Sequence, residues 1–145
     1  MKKIVFLLLT FSSLIVSAQE QPIHELDANY FYGSILIHNK DISHLVTGHP
    51  KGFILSYNRK TYGLNDWESR YNYPDWGFSL AYQDMKNEEL GDNYSVYGHY
   101  NFYFLKRNLM LRIGQGISYN TNPFDLNDNF RNRAYGSTFL SSTYV

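Results

Sequence analysis

Alternation with a period of two runs through most of this chain, and few folds can accommodate it. Between Tyr94 and Leu105, Tyr94, Val96, Tyr100, Phe102 and Phe104 share one side while Ser95, Tyr97, His99, Asn101 and Tyr103 share the other. From Leu109 to Asn120, Leu109, Leu111, Ile113, Ile117 and Tyr119 oppose Arg112, Gly114, Gly116, Ser118 and Asn120. Phe78, Leu80 and Tyr82 oppose Ser79, Ala81 and Gln83 in the same manner. Successive side chains of a β-strand point to opposite faces, so each segment is an extended strand with one apolar and one polar face. Six segments qualify: Asn29 to His38, Gly52 to Tyr62, Gly77 to Asp84, Tyr94 to Leu105, Leu109 to Asn120 and Tyr135 to Val145. Each is bounded by Gly, Pro, Asn or Asp.

A soluble sandwich and a transmembrane barrel share this pattern, and strand length separates them. The segments run to about 8 to 12 residues, longer than the usual globular strand and matched to a tilted strand crossing a bilayer. All four prolines, Pro22, Pro50, Pro74 and Pro123, fall outside the segments, as an unbroken ladder requires. Of the formal charges beyond the leader, only Arg59, Lys60, Asp84 and Arg112 fall inside them, and Arg112 takes the polar face. Aromatic residues make up 18% of the chain, with 14 Tyr and 10 Phe. Tyr30, Tyr57, Tyr82, Tyr94, Phe104 and Tyr119 stand near segment ends on the apolar side, where interfacial rings of a membrane barrel belong. The expected class is all-β, an antiparallel up-and-down transmembrane β-barrel. A soluble exported sandwich or lipocalin-like binder is the competing architecture, and it calls for more polar outward positions.

Residues 1–18 have the order of a secretory signal peptide: Lys2 and Lys3, the apolar run Ile4 to Val16, then Val16-Ser17-Ala18 before Gln19. That run is too short for a membrane-spanning helix. Residues 19–145 are then an exported barrel domain destined for the outer membrane. The chain has no cysteine, which removes disulfides, thiolate metal sites and a cysteine nucleophile. Its formal charge of zero offers no field for nucleic acid.

Lys106-Arg107-Asn108 is a tight turn, whereas Asn39 to Lys51, Lys86 to Asn93 and Thr121 to Ala134 are longer and polar. With a periplasmic N-terminus, parity places the three long loops outside and the tight turn inside, the asymmetry of outer-membrane barrels. Gly63 to Asp75 breaks that rule as a long connection on the periplasmic side. Six strands also fall short of the eight of the smallest such barrels. The expectation is therefore a barrel domain that is C-terminally incomplete.

Tyr30-Phe31-Tyr32-Gly33-Ser34, Gly48-His49-Pro50 leading into Gly52-Phe53, Tyr71-Asn72-Tyr73-Pro74-Asp75, the run Tyr97 to Phe104, and Arg112-Ile113-Gly114-Gln115-Gly116 resemble the PagL-type lipid A 3-O-deacylases. The likeness is greatest to the forms called acyloxyacyl hydrolases and spans about residues 28–144. The resemblance implies an eight-stranded outer-membrane barrel that removes a 3-linked acyl chain from the lipid A of lipopolysaccharide, and leaves room for a homodimer. It also implies a Ser-His-Glu triad with its His and Ser in a His-x-Ser-Asn motif. No His-x-Ser occurs here: His24, His38, His44, His49 and His99 are followed two residues on by Leu26, Lys40, Val46, Lys51 and Asn101. No catalytic, cofactor or metal residue is therefore assigned, and the chain as it stands is expected to be inactive. A non-enzymatic barrel with a structural or lipopolysaccharide-binding role is the alternative.

The remaining chemistry-bearing residues have plain readings. His99, on a polar face, is a hydrogen-bonded structural histidine for want of a nucleophile partner. His38, His44 and His49, with Asp41, match no familiar metal-ligand spacing. Gly114-Gln115-Gly116 opens no helix and suits close packing against an inner wall rather than phosphate binding. Asn93-Tyr94-Ser95 fits a glycosylation sequon that matters only in a eukaryotic host. Arg107, Arg131 and Arg133 flank loops, where they are solvated or meet lipid phosphates.

Overall fold

The computed structural model describes residues 23–37 and 40–145. The leader and His38 lie outside the described residues. Six strands form one antiparallel sheet in chain order: β1 (His24–Tyr32), β2 (Lys51–Arg59), β3 (Asp75–Asp84), β4 (Asp92–Phe104), β5 (Leu109–Asn120) and β6 (Phe139–Tyr144). Each strand pairs with the next, the up-and-down order expected. Among the described residues β1 pairs only with β2 and β6 only with β5, so the sheet is open.

The register turns the alternation of each strand into continuous rows. On one face Tyr30, Phe53, Tyr82, Tyr94, Tyr119 and Phe139 lie directly across from one another through all six strands. Neighbouring rings touch, with centroids 5.6 Å apart for Phe53–Tyr82, 5.2 Å for Tyr82–Tyr94 and 5.6 Å for Tyr119–Phe139. The next row is Ala28, Leu55, Leu80, Val96, Ile117 and Ser141, and a lower aromatic zone contains Trp76, Tyr100, Phe102 and Phe104. Along β4 Tyr94 and Phe104, the outermost rings of the two zones, are about 33 Å apart at ~3.3 Å per residue, or roughly 25 Å in height at a barrel tilt of ~40°. This face is exposed: Leu55 is 50% accessible, Leu80 51%, Val96 57% and Ile117 62%. Its polar members Gln115, Ser141 and Thr143 satisfy one another, Gln115 Nε2 donating to Ser141 Oγ at 3.0 Å and Thr143 Oγ1 to Gln115 Oε1.

The opposite face is polar and buried. Ser56, Asn58, Ser79, Asn93, Ser95, His99, Asn101, Ser118 and Asn120 all point inward with 7% exposure or less. Polar inside and apolar outside inverts the order of a water-soluble fold. Arg112 on β5 reaches Asp27 on β1, strands far apart in the sheet order, so the polar face is the concave one. Glycines on this wall are forced by contact: a Cβ at Gly114 would lie 2.0 Å from the Tyr144 ring, and one at Gly116 would lie 1.9 Å from the Val96 carbonyl oxygen. The Gly114-Gln115-Gly116 segment is thus strand wall, as its packing reading holds.

β2, β3 and β4 begin one or two residues before the expected positions and β2 stops at Arg59, while the first and last strands differ more. The first strand covers His24–Tyr32 instead of Asn29 to His38, which adds Glu25 and Asp27 to the charges within strands. Ile35, read as strand, instead packs into a small apolar core of the loops formed by Ile42, Leu45, Met85 and Leu90. Tyr135 joins the same core, so the last strand begins only at Phe139. The three long loops therefore form an ordered cap over one end. A 3-10 helix, Lys40–Leu45, lies within it. Asn87 Nδ2 donates to the Leu45 carbonyl at 2.9 Å, Asn129 Nδ2 to that of Glu89 at 2.9 Å, and Asn132 Nδ2 to that of Asn122 at 2.7 Å.

At the other end, the connection that broke the short-turn rule is organised by one carboxylate. It contains a single helical turn, α1 (Asp66–Arg70). Glu68, buried at 5% exposure, accepts backbone N–H bonds from Tyr62, Gly63 and Leu64 at 3.2, 2.8 and 3.0 Å and an Asn65 Nδ2 bond at 2.7 Å. Gly63, at φ +89°, adopts the left-handed conformation that aims three successive N–H groups at one oxygen.

Candidate functional site

The concave face gathers the densest polar chemistry of the described residues around Arg112. All five guanidinium N–H groups are used. Nε donates to Asn101 Oδ1 at 2.7 Å, one terminal nitrogen to Ser56 Oγ at 3.0 Å and Asp27 Oδ1 at 3.4 Å, and the other to Asp27 Oδ2 at 2.9 Å and Asn58 Oδ1 at 3.0 Å. Such a fork joins β1, β2, β4 and β5 through one side chain, a geometry that lysine does not reproduce. Asn58 Nδ2 donates to Asp27 Oδ2 at 2.6 Å, so the carboxylate is held from both sides.

His99 lies beside this cluster and has the nucleophile-type neighbour that sequence reading did not find. Its Nε2 lies 2.8 Å from Asn58 Oδ1 and its Nδ1 lies 2.8 Å from Ser79 Oγ. Asn58 Oδ1 only accepts, which places the proton on Nε2 and leaves Nδ1 to accept from the Ser79 hydroxyl. Base, hydroxyl and orienting amide thus stand in the relative order of a hydrolytic triad. Access decides against that use. Ser79 is fully buried, and its oxygen also meets Ser56 Oγ at 2.9 Å and Tyr144 OH at 2.8 Å. A hydroxyl whose lone pairs are both occupied has no approach left for an acyl carbon. His99 is thus hydrogen-bonded at both ring nitrogens, and Ser79 locks β3 to β2, β4 and β6. The pairing escapes sequence inspection because Ser79 faces His99 diagonally across the β3–β4 ladder, where Gly77 is directly opposite His99.

The other singled-out residues do not converge. His44 Nε2 lies 3.1 Å from the Arg131 carbonyl oxygen, whereas His49 Nδ1 lies 3.1 Å from Ser34 Oγ and its ring packs on Tyr32. Among the described residues no three His, Asp or Glu side chains meet with metal-binding geometry. Asn93 is turned inward, donating to Tyr135 OH at 3.0 Å, so the sequon asparagine is buried. Arg107 is exposed, with its guanidinium 3.8 Å over the Tyr103 ring and donating to the Tyr73 carbonyl at 2.9 Å. Arg131 pairs with Glu89 at 2.8 Å within the cap, and Arg133 is exposed.

A buried polar interior, an apolar exterior with stacked aromatic rows, and a cap of ordered loops give the architecture without naming the family. The lipid A 3-O-deacylase (PagL) family profile matches residues 51–145, all of β2 to β6. The chain belongs to the PagL lipid A 3-O-deacylase family. PagL proteins are outer-membrane proteins that act on lipid A, and the six up-and-down strands are those of a PagL-type barrel. Among the described residues no helix is long and apolar enough to cross a membrane. None of the curated proteins and none of the solved structures compared with the chain matches it. The family match begins at Lys51 and so includes the histidine and serine of the concave network, yet neither belongs to a His-x-Ser pair.

Proposed function

We propose that residues 19–145 are the scaffold portion of an outer-membrane lipid A 3-O-deacylase, a barrel that hydrolyses the ester-linked 3-O-acyl chain of lipopolysaccharide when its sheet is complete. The observation that carries the reading is the inverted sheet, apolar and exposed outside, polar and buried inside, in a chain of the PagL family. In hydrocarbon, unpaired backbone groups cost several kcal/mol each, and the outward edges of β1 and β6 have no strand partner among the described residues. In this reading further strands fill the gap between β6 and β1 and carry the His-x-Ser pair, and the leader delivers the chain to the outer membrane.

Ester hydrolysis needs a hydroxyl within reach of both a base and the substrate carbonyl. Ser79 has the base and lacks the access, so residues 19–145 by themselves do not hydrolyse lipid A. The test is mass spectrometry of lipid A from lipopolysaccharide incubated with the refolded chain. Unchanged lipid A is expected, and loss of a 3-O-linked acyl chain overturns this assignment of roles. The sealed Ser79–His99 pair also favours a second reading, a barrel that holds lipopolysaccharide without cleaving it. Full-length protein from native outer membranes separates the two, since only the enzyme removes the acyl chain.

A further inference from the structure

On the exposed face of β3 to β5, a Cβ at Gly98 would meet nothing within 4 Å. Around that gap lies a groove of about 570 Å³ walled by Trp67, Trp76, Tyr100, Ile113 and Gln115. Its lining is mainly apolar, and it opens on the face whose rows are aliphatic and aromatic. Trp67 comes from α1, which the Glu68 carboxylate fixes against this end of the sheet. A second cleft of about 150 Å³ shares Trp67 and Trp76 and adds Arg59 and Thr61, so the two spaces meet at the tryptophan pair. Arg59 shares the outer face with Trp76, its partner in the ladder, and its guanidinium lies 5.5 Å from that ring. Among the described residues Arg59 forms no ion pair with a carboxylate, in contrast to neighbouring Lys60, which pairs with Glu25 at 2.5 Å.

We infer that this groove is a binding site for an anionic phospholipid, one acyl chain lying over Gly98 between Trp76, Tyr100 and Ile113 and the phosphate at Arg59. An apolar channel on a bilayer-facing wall takes hydrocarbon by its position. The exposed cation at one end, backed by aromatic rings, supplies charge complementarity for a head group at the depth where tryptophan prefers to lie. The site rests on the reading that this face meets a bilayer. In that reading the short-turn end faces the periplasm, so the lipid comes from the periplasmic leaflet and is a phospholipid rather than lipopolysaccharide. The groove lies on the outer face of the wall, with His99 among its lining residues, while the Ser79–His99 hydrogen bond is made on the concave side, so the groove has no part in hydrolysis.

The two tryptophans of this sequence, Trp67 and Trp76, both line the groove and report on it directly. The protein is refolded into phosphatidylcholine vesicles containing a minor fraction of phosphatidylglycerol brominated on its acyl chains. Quenching of the two tryptophans is read as the difference from a W67F/W76F variant. One basic side chain at an anionic surface corresponds to an enrichment of about fivefold, and quenching of that order above the bulk fraction is expected. R59Q should return quenching to the bulk level, and G98L, which fills the floor, should lower it. R59Q leaves the strand wall unchanged and keeps the test standing where G98L does not fold. Bulk-level quenching in the unaltered protein, or equal quenching with R59Q, overturns the site. Vesicles made only of brominated phosphatidylcholine test the premise separately: absence of quenching there shows that this face is not in the bilayer, whereas strong quenching there together with bulk-level quenching in the phosphatidylglycerol-containing vesicles removes the lipid site alone.

Discussion

Arg112 holds the concave face together, and its removal is the most informative single change there. Truncating one partner of a partly buried, hydrogen-bonded ion pair leaves the other short of partners, at a cost of about 1.5–3 kcal/mol. Arg112→Met strands Asp27 and unties β1 from β5, so the refolded protein should unfold at lower urea concentration by an amount of that order. Ser79→Ala removes only a sealed hydroxyl, and lipid A cleavage by the full-length protein should survive it unchanged. At the short-turn end, Glu68 has a pKa lowered from 4.5, chiefly by the Asn65 side-chain hydrogen bond and then by the backbone N–H groups of Gly63, Leu64 and Tyr62, against a smaller opposing effect of burial. A carboxyl depressed in the folded state stabilises it above the unfolded value and loses that contribution as pH falls through the folded one. The connection around α1 should therefore loosen below pH 4.5, seen as a shift in tryptophan emission, and Glu68→Gln should abolish that pH dependence. None of these roles is visible in sequence spacing. Asn65 and Glu68 stand three apart as a capping pair would, but the bonds that matter reach back to Tyr62, Gly63 and Leu64.

The strands, by contrast, were legible because a period of two is a local property. The faces of the third, fourth and fifth segments are those observed, and of the aromatic residues read as end rings Tyr30, Tyr82, Tyr94 and Tyr119 share one row through the register, whereas Tyr57 and Phe104 lie outside it. What the pattern could not reveal is where an apolar residue belongs to something other than the sheet. Ile35 and Tyr135 have strand character and are drawn instead into the apolar core of the cap, which is assembled from three loops distant in sequence. The glycines of the inner wall carry an element-scale prediction. Gly116→Ala places a methyl group 1.9 Å from the Val96 carbonyl oxygen, so β4 and β5 must shift apart. The expected loss is about 1–3 kcal/mol, the usual cost of overpacking, measured as a lower midpoint of unfolding in detergent. On the other face, Leu80→Arg puts a charge in the aliphatic row, and in a bilayer it should cost about 2–4 kcal/mol.

At the scale of the whole molecule, the proposed function stands on one inversion: the apolar side of the sheet is exposed, where lipid would meet it, and the polar side is sealed within. The chain contains no cysteine, so single cysteines placed along β4 report on the two faces without background. Labelling of Val96→Cys, Tyr97→Cys, Gly98→Cys and Tyr100→Cys in outer membranes, with a lipid-soluble and a water-soluble maleimide, is the most direct test. The account predicts that positions 96, 98 and 100 react with the lipid-soluble reagent alone and that position 97 is protected from both. Ready labelling of 96 and 100 by the water-soluble reagent would contradict it and return the chain to the soluble sandwich.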